Sequence, residues 1–284
     1  MKTTHFRNTL LATVAATSLW SCQQQDLPAE PKAVTQAAAQ EGAYRLTSYK
    51  LEEGIGTDYP ITYTTAFTYR PDGKLASTDG SRFYVAKGST YHQHIDYDYS
   101  QPGQVVARNP AFTNGVGAEV KYVLGTGASS QRASQIIDVK GIGVKTYTYN
   151  AAGQITREQI DDFSTRISVF SYDAAGNRVL TPNFYNSRIS ATYDLTKLNR
   201  RPVPDVLNLF VDKGTESRNL LSKTVEETDP AKDRTNRYQT NKTYTYELNS
   251  AGYVTKKTED IVFLDKGVVA STKKNVYTYT YEAL

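Results

Sequence analysis

Sulfur-containing and indole side chains are almost missing from this chain of 284 residues: there is one cysteine, Cys22, one methionine and one tryptophan, Trp20. A single cysteine excludes an internal disulfide and any two-cysteine zinc pattern. Histidine is nearly as scarce, with three in all: His5, His92 and His94. No apolar run is long enough to cross a bilayer as a helix; the best, Leu10 to Trp20, is short and broken by Thr13, Thr17 and Ser18. Charge of one sign is also missing, since 33 Lys+Arg stand against 29 Asp+Glu, which gives no electrostatic case for nucleic acid. No Gly-x-Ser-x-Gly elbow occurs. The glycine pairs Gly54/Gly56, Gly115/Gly117, Gly125/Gly127 and Gly141/Gly143 lack the third glycine of a nucleotide loop, so they read as turns. Asp161/Asp162 and Glu226/Glu227 are adjacent, and on a strand adjacent side chains point to opposite faces. No cofactor is implied.

The N-terminus has the layout of an export signal. Lys2 and Arg7 precede the apolar stretch, and residues 1–21 read as a signal peptide that takes Trp20 with it. Its end, Leu19-Trp20-Ser21-Cys22, resembles the lipobox of bacterial lipoproteins. That resemblance implies cleavage before Cys22, lipid attachment at Cys22, and anchoring at the outer membrane or cell surface, with the periplasmic face open as an alternative. Multiple acyl chains hold a folded domain at a membrane without a spanning segment. A lone cysteine inside an ordinary cleaved signal is the competing reading. Residues 22–42, rich in Gln, Ala and Pro, have too little apolar surface to offset the entropy of ordering and read as a tether. Residues 43–284 carry no Pro/Gly/Ser linker and read as one β domain.

What is abundant is tyrosine, 22 residues of it, in a recurring pattern: two aromatics two apart, a turn ending in glycine, then an aliphatic residue. The copies are Phe67/Tyr69/Gly73/Leu75, Tyr97/Tyr99/Gly103/Val105, Tyr147/Tyr149/Gly153/Ile155, Phe170/Tyr172/Gly176 and Tyr244/Tyr246/Gly252/Val254. Asn150-Ala-Ala-Gly153, Asp173-Ala-Ala-Gly176 and Asn249-Ser-Ala-Gly252 place Asn or Asp first and Gly fourth, the chemistry of a type I turn closed by a glycine bulge. Arg70-Pro-Asp-Gly73 fits as well, whereas Ser100-Gln-Pro-Gly103 puts Pro102 third, where it disfavours that turn. Asp79-Gly80, Ala86-Lys-Gly88, Asp212-Lys-Gly214 and Asp265-Lys-Gly267 read as further turns. In Lys145–Tyr149 and Val276–Tyr281 tyrosine alternates with threonine, so one face of each strand is aromatic and the other polar. Five copies joining two strands each give at least ten strands, and an open sheet of that size curls, closes or is covered. The expected fold is all-β: an antiparallel hairpin meander forming a strongly curved or barrel-like sheet. Pro202 to Val211 suits either one short helix capped by Asp205 or a buried strand.

Two resemblances extend this reading. Phe170-Ser-Tyr-Asp-Ala-Ala-Gly176-Asn-Arg178 resembles the tyrosine–aspartate (YD) repeat of bacterial toxin shells and teneurins, which implies tandem hairpins winding into a β-shell. The other copies follow tyrosine with Arg, Ser, Asn or Glu. Asn219–Lys223, Tyr244–Thr255 and Tyr277–Glu282 together are similar to an uncharacterised family of Gram-negative bacterial lipoproteins with a porin-like β-fold. That likeness implies all-β structure and an envelope location, and brings no site residues with it.

Three functional readings follow. His92, His94, Asp96 and Asp98 alternate along one strand face, as two imidazoles and carboxylates gripping a metal would; the plainer reading is a hydrated strand face whose reverse, Ile95, Tyr97 and Tyr99, packs inward. No further histidine follows residue 22 to complete such a site. Tyrosine rings suit a sugar platform as well as sheet packing. The expectation is a non-enzymatic envelope lipoprotein, membrane-bound through its lipid, presenting a sheet surface to an extracellular polymer or partner protein, or serving structurally. The alternative is a glycan-binding protein, or a glycan-acting enzyme with carboxylates from distant strands.

Overall fold

The computed structural model describes residues 44–109, 119–125, 132–138, 143–162, 164–179, 181–182, 187–200, 217–228 and 238–284. Cys22, the signal and tether segments, Asp212–Gly214 and the Pro202–Val211 run lie outside the described residues. The described ones belong to one unit, Gln36–Leu284.

Among the described residues sixteen strands follow one another: β1 (Tyr44–Ile55), β2 (Ile61–Tyr69), β3 (Leu75–Tyr84), β4 (Ser89–Asp98), β5 (Gln104–Arg108), β6 (Glu119–Leu124), β7 (Ala133–Asp138), β8 (Val144–Tyr149), β9 (Ile155–Asp161), β10 (Thr165–Val169), β11 (Thr181–Pro182), β12 (Ser187–Leu198), β13 (Asn219–Thr228), β14 (Tyr238–Leu248), β15 (Val254–Asp265) and β16 (Val268–Ala283). Every pairing is antiparallel between chain neighbours, except that β1 pairs with β16. The ladder thus runs from β10 back to β1, across to β16 and on to β11. Among the described residues no ladder joins β10 to β11, and the edges approach around the isolated bridge Tyr172↔Arg178, so the sheet curls round on itself without a full closing ladder. The helical turn among these residues is the single 3₁₀ turn Val85–Lys87.

Local chemistry explains the hairpins. At Asn150–Gly153, Asp173–Gly176 and Asn249–Gly252 the glycine N–H returns to the first residue at 2.9 Å, and the Asn or Asp side chain accepts from the backbone four residues on, at 2.8–2.9 Å. At Arg70–Gly73 the glycine N–H again returns to the first residue at 2.9 Å, while the side-chain acceptor is Asp72, which takes the Lys74 N–H at 3.2 Å. The Pro102 turn slips by one residue: Gln104 N–H bonds Gln101 C=O at 3.2 Å, which puts Pro102 second and Gly103, φ 70°, third, the type II arrangement in which both are favoured. Asp79-Gly80 is not a turn. It lies mid-strand in β3, Gly80 facing Thr65 on β2 and Gln93 on β4, because Asp79 is held across the sheet by His94 and the turn falls later, at Val85–Gly88.

The aromatic pattern has a structural cause. At the glycine-turn end a tyrosine sends its hydroxyl to a backbone carbonyl at or near the start of the preceding strand. Among the described residues the pairs are Tyr69–Leu46, Tyr149–Ala133, Tyr172–Ile155, Tyr193–Arg178, Tyr246–Leu221 and Tyr281–Val254. Buried Leu46, Leu75, Val105, Ala133, Ile155, Leu220 and Tyr253 lie at this same glycine-turn end, so the densest packing forms a belt there. Where the two edges meet, Asn177, fully buried, exchanges bonds with Asn219 on β13: Nδ2–H to Oδ1 at 3.1 Å and Asn219 N–H to Asn177 Oδ1 at 2.8 Å. Gln154 Nε2–H and Arg218 N–H both reach the Gly176 carbonyl, fastening the turn to each side.

Candidate binding face

The period of two sorts side chains into a shielded and an open face. On β16 the shielded set is Lys273, Asn275, Tyr277, Tyr279 and Tyr281, and the open set is Lys274, Thr278, Thr280 and Glu282. On β14 the open positions Thr243, Thr245 and Glu247 are likewise polar. A lipid-facing barrel wall needs an apolar band with aromatic girdles; along their middle these strands hold tyrosine on the shielded face and threonine and charge on the open one, and their exposed apolar side chains, Tyr238, Leu248, Val268 and Val269, lie toward the strand ends. No helix among the described residues is long and apolar enough to cross a membrane.

Two groupings stand on the inner face. The first spans β14, β15, β16 and β1. Glu259, 5% exposed, accepts from Asn275 Nδ2–H at 2.8 Å and Tyr277 O–H at 3.1 Å, with Lys242 Nζ at 3.5 Å. Burial pushes its carboxyl up, but Asn275, Lys242, Lys257 and Tyr277 outweigh that and hold it below its ordinary value. Lys257 stacks its ammonium 3.6 Å from the centre of the Tyr277 ring. Burial lowers its pKa to about 8, against the opposing pull of Glu259. Glu53 pairs with Lys273 at 3.1 Å, and Asn275 Oδ1 takes the Gly54 N–H at 3.0 Å. Tyr49, with ring centres 5.6 Å from Tyr279 and 6.2 Å from Tyr277, is raised to about 12, first by burial and then by Glu53. Each carboxylate here is ionised or cation-paired, which suits a fastening network better than a proton donor to a leaving group.

The second grouping is a cleft of about 230 Å³ on β2, β3 and β4, bordered by Tyr63, Thr65, Gly80, Arg82, Tyr91 and Gln93. Cross-strand register builds it in two rows, Tyr63–Arg82–Tyr91 and Thr65–Gly80–Gln93. Gly80 leaves its floor open: a Cβ there would meet nothing nearer than 3.7 Å. The Arg82 guanidinium lies 4.8 Å from the Tyr63 ring and 4.6 Å from that of Tyr84, and its buried Nε–H has no hydrogen-bond partner.

The histidine strand falls on the outer face. His94 Nδ1 lies 2.5 Å from Asp79 and Nε2 3.0 Å from Asp96, so both ring nitrogens are engaged and its pKa is raised, by Asp79 first and then Asp96. Asp98 turns instead to Arg108 at 2.8 Å, which with Ser100 holds it down at about 2. His92, on the same face, sits opposite Ser81. No group of three metal-ligating side chains converges among the described residues. Of the tyrosines read as sugar platforms, Tyr147 and Tyr253 are buried, Tyr63 and Tyr91 border the cleft, and Tyr84 lies against Arg82 beside it. Sequence reasoning missed the Arg82 cleft because Gly80 was read as a turn. A glycine inside an alternating strand is the signal that could have found it.

No protein-family model matches the chain, and no curated protein matches it. Among solved structures it is similar to a porin-like protein from Bacteroides uniformis ATCC 8492, at 16% identity and a TM-score of 0.56, with 84% of this chain and 98% of that one covered. The fold is porin-like. A TcdB2-TccC3-TEV structure aligns over 78% of this chain and 14% of its own, at 12% identity and a TM-score of 0.30.

Proposed function

We propose that this chain is a non-enzymatic cell-envelope lipoprotein, anchored through acylated Cys22, which presents its curled sheet as a binding surface to an extracellular polymer or partner protein. The observation that carries the reading is the distribution of side chains on a porin-like fold: aromatics and buried ion pairs inside, threonine and charge outside. Such an exterior favours water over lipid, so the attachment to the membrane falls to the cysteine after the export signal. The paired state of Glu53 and Glu259 supports binding over glycan hydrolysis.

Metabolic labelling with a fatty acid and membrane fractionation test it together. The wild-type chain takes up label and sediments with membranes; Cys22→Ser takes up none and is recovered without detergent. A Cys22→Ser protein that still needs detergent would overturn the reading in favour of a membrane-spanning barrel.

A further inference from the structure

We infer that the cleft around Arg82 binds an acidic sugar residue, with its carboxylate or sulfate on the guanidinium and its ring among Tyr63, Tyr84 and Tyr91; the inference rests on the binding reading above. Arg82 forms no ion pair with a carboxylate among the described residues. The nearby Glu53, which contributes to the raised pKa of Tyr63, is taken by Lys273 at 3.1 Å. A buried N–H without an acceptor is costly, and buried donors in native proteins nearly always have one. The guanidinium is engaged by the Tyr63 hydroxyl and the rings of Tyr63 and Tyr84, which leaves Nε–H as the donor open to an acceptor from a ligand. A guanidinium presents its donors as a flat fork that matches a carboxylate or sulfate.

The surroundings favour a sugar as the carrier of that charge. Tyr63 and Tyr84 flank the cation and Tyr91, 45% exposed, closes the row, offering apolar ring faces to sugar C–H groups. Gln93 and Thr65 line the neighbouring row with amide and hydroxyl groups suited to sugar hydroxyls. The missing side chain at Gly80 provides the depth. With about 230 Å³ the cleft is smaller than the ~300 Å³ at which small-molecule pockets begin, so it holds one residue of a polymer.

Calorimetric titration of the full chain in detergent tests this with oligogalacturonate, a sulfated oligosaccharide, a neutral galactan oligosaccharide and poly-glutamate. One or both acidic sugars bind, and the two arms tell carboxylate from sulfate; the neutral sugar and poly-glutamate bind about tenfold more weakly or less, as loss of one charge-assisted contact or of the ring contacts predicts. Arg82→Gln weakens acidic-sugar binding about tenfold. Gly80→Val, which fills the floor, weakens it too, while Lys223→Gln on distant β13 leaves it unchanged. Circular dichroism and melting of each variant confirm that it is folded. Failure of both acidic sugars to bind overturns the inference, as does wild-type affinity in folded Arg82→Gln, equal loss in Lys223→Gln, or equal binding of poly-glutamate. Tight binding of the neutral sugar by wild type and Arg82→Gln alike overturns the acidic assignment and leaves the binding face standing; a detergent-requiring Cys22→Ser overturns the envelope reading alone.

Discussion

Removing one oxygen atom from Tyr246 and one from Tyr99 should have opposite consequences. Tyr246 gives its hydroxyl to the Leu221 carbonyl at 2.8 Å, one of six such bonds among the described residues at the glycine-turn end. Tyr99 holds the equivalent position in its own hairpin, but its buried hydroxyl has no partner. A satisfied buried hydrogen bond contributes about 0.5–1.5 kcal/mol net, whereas an unsatisfied hydroxyl is itself a desolvation penalty. Tyr246→Phe therefore destabilises by about 1 kcal/mol, and Tyr99→Phe is neutral or stabilising. For a β unit of this size each kcal/mol moves the melting midpoint by about 2–4 °C. Urea unfolding followed by far-ultraviolet circular dichroism reads both, with unchanged m-values reporting that the compactness of neither state has altered. Tyr149→Phe, on a distant strand, adds to Tyr246→Phe without coupling. Equal destabilisation by Tyr99→Phe and Tyr246→Phe would refute the reasoning, because the cost would then belong to the ring environment and not to the bond.

Other outcomes follow from the same geometry. Asn177→Leu strips Asn219 of both its amide partners in a buried site, so it costs about 1–3 kcal/mol for each group left unpaired, and hydrogen exchange should rise first where β10 and β11 meet. Stability should climb between pH 8 and 10 and then fall. The folded pKa of Lys257, about 8, lies below its unfolded value, so its penalty is full below pH 8 and eases above it. The tyrosines raised by burial, Tyr49, Tyr122 and Tyr244 among them, contribute stability that is present below pH 10 and lost as pH rises toward their folded values of about 12. A pH series of urea midpoints checks both limbs. Glu259→Gln removes the carboxylate that supports the Lys257 charge, so amine-selective labelling of Lys257 should set in at lower pH than in wild type. The His94 pKa is raised, so its small, solvent-screened contribution is present below about pH 6.5 and fades as pH rises through the folded value; NMR titration of the imidazole follows it directly.

Much of the architecture was legible because its causes are local. A turn such as Asn150–Gly153 is decided within four residues by an Asn side chain and a glycine with positive φ, and alternation along β16 assigns Tyr277, Tyr279 and Tyr281 to one face without reference to any other strand. The sixteen strands exceed the minimum of ten set by the five copies because two hairpins carry degenerate signals: between β6 and β7 Leu124 stands in the aromatic slot and the turn before Ala133 lacks the Asn/Asp–Gly form, and Tyr193 closes its hairpin without a paired aromatic. The candidate site was legible only in part. His92 and His94 were placed on the correct face, but their carboxylate partners on β3 and the exchange of Asp98 to Arg108 depend on register between strands.

By itself the sequence determined the hairpin as the unit, the polarity of its two faces and the glycine-closed reversals, since each depends on chemistry a few residues apart. Only the tertiary structure decided that β1 pairs with β16, that Asn177 meets Asn219 across 42 residues, and that Tyr63, Arg82 and Tyr91 share a row beside a mid-strand glycine. Those pairings depend on the number of strands, their accumulated twist and their register, which add up along the whole chain and are written in no single segment of it.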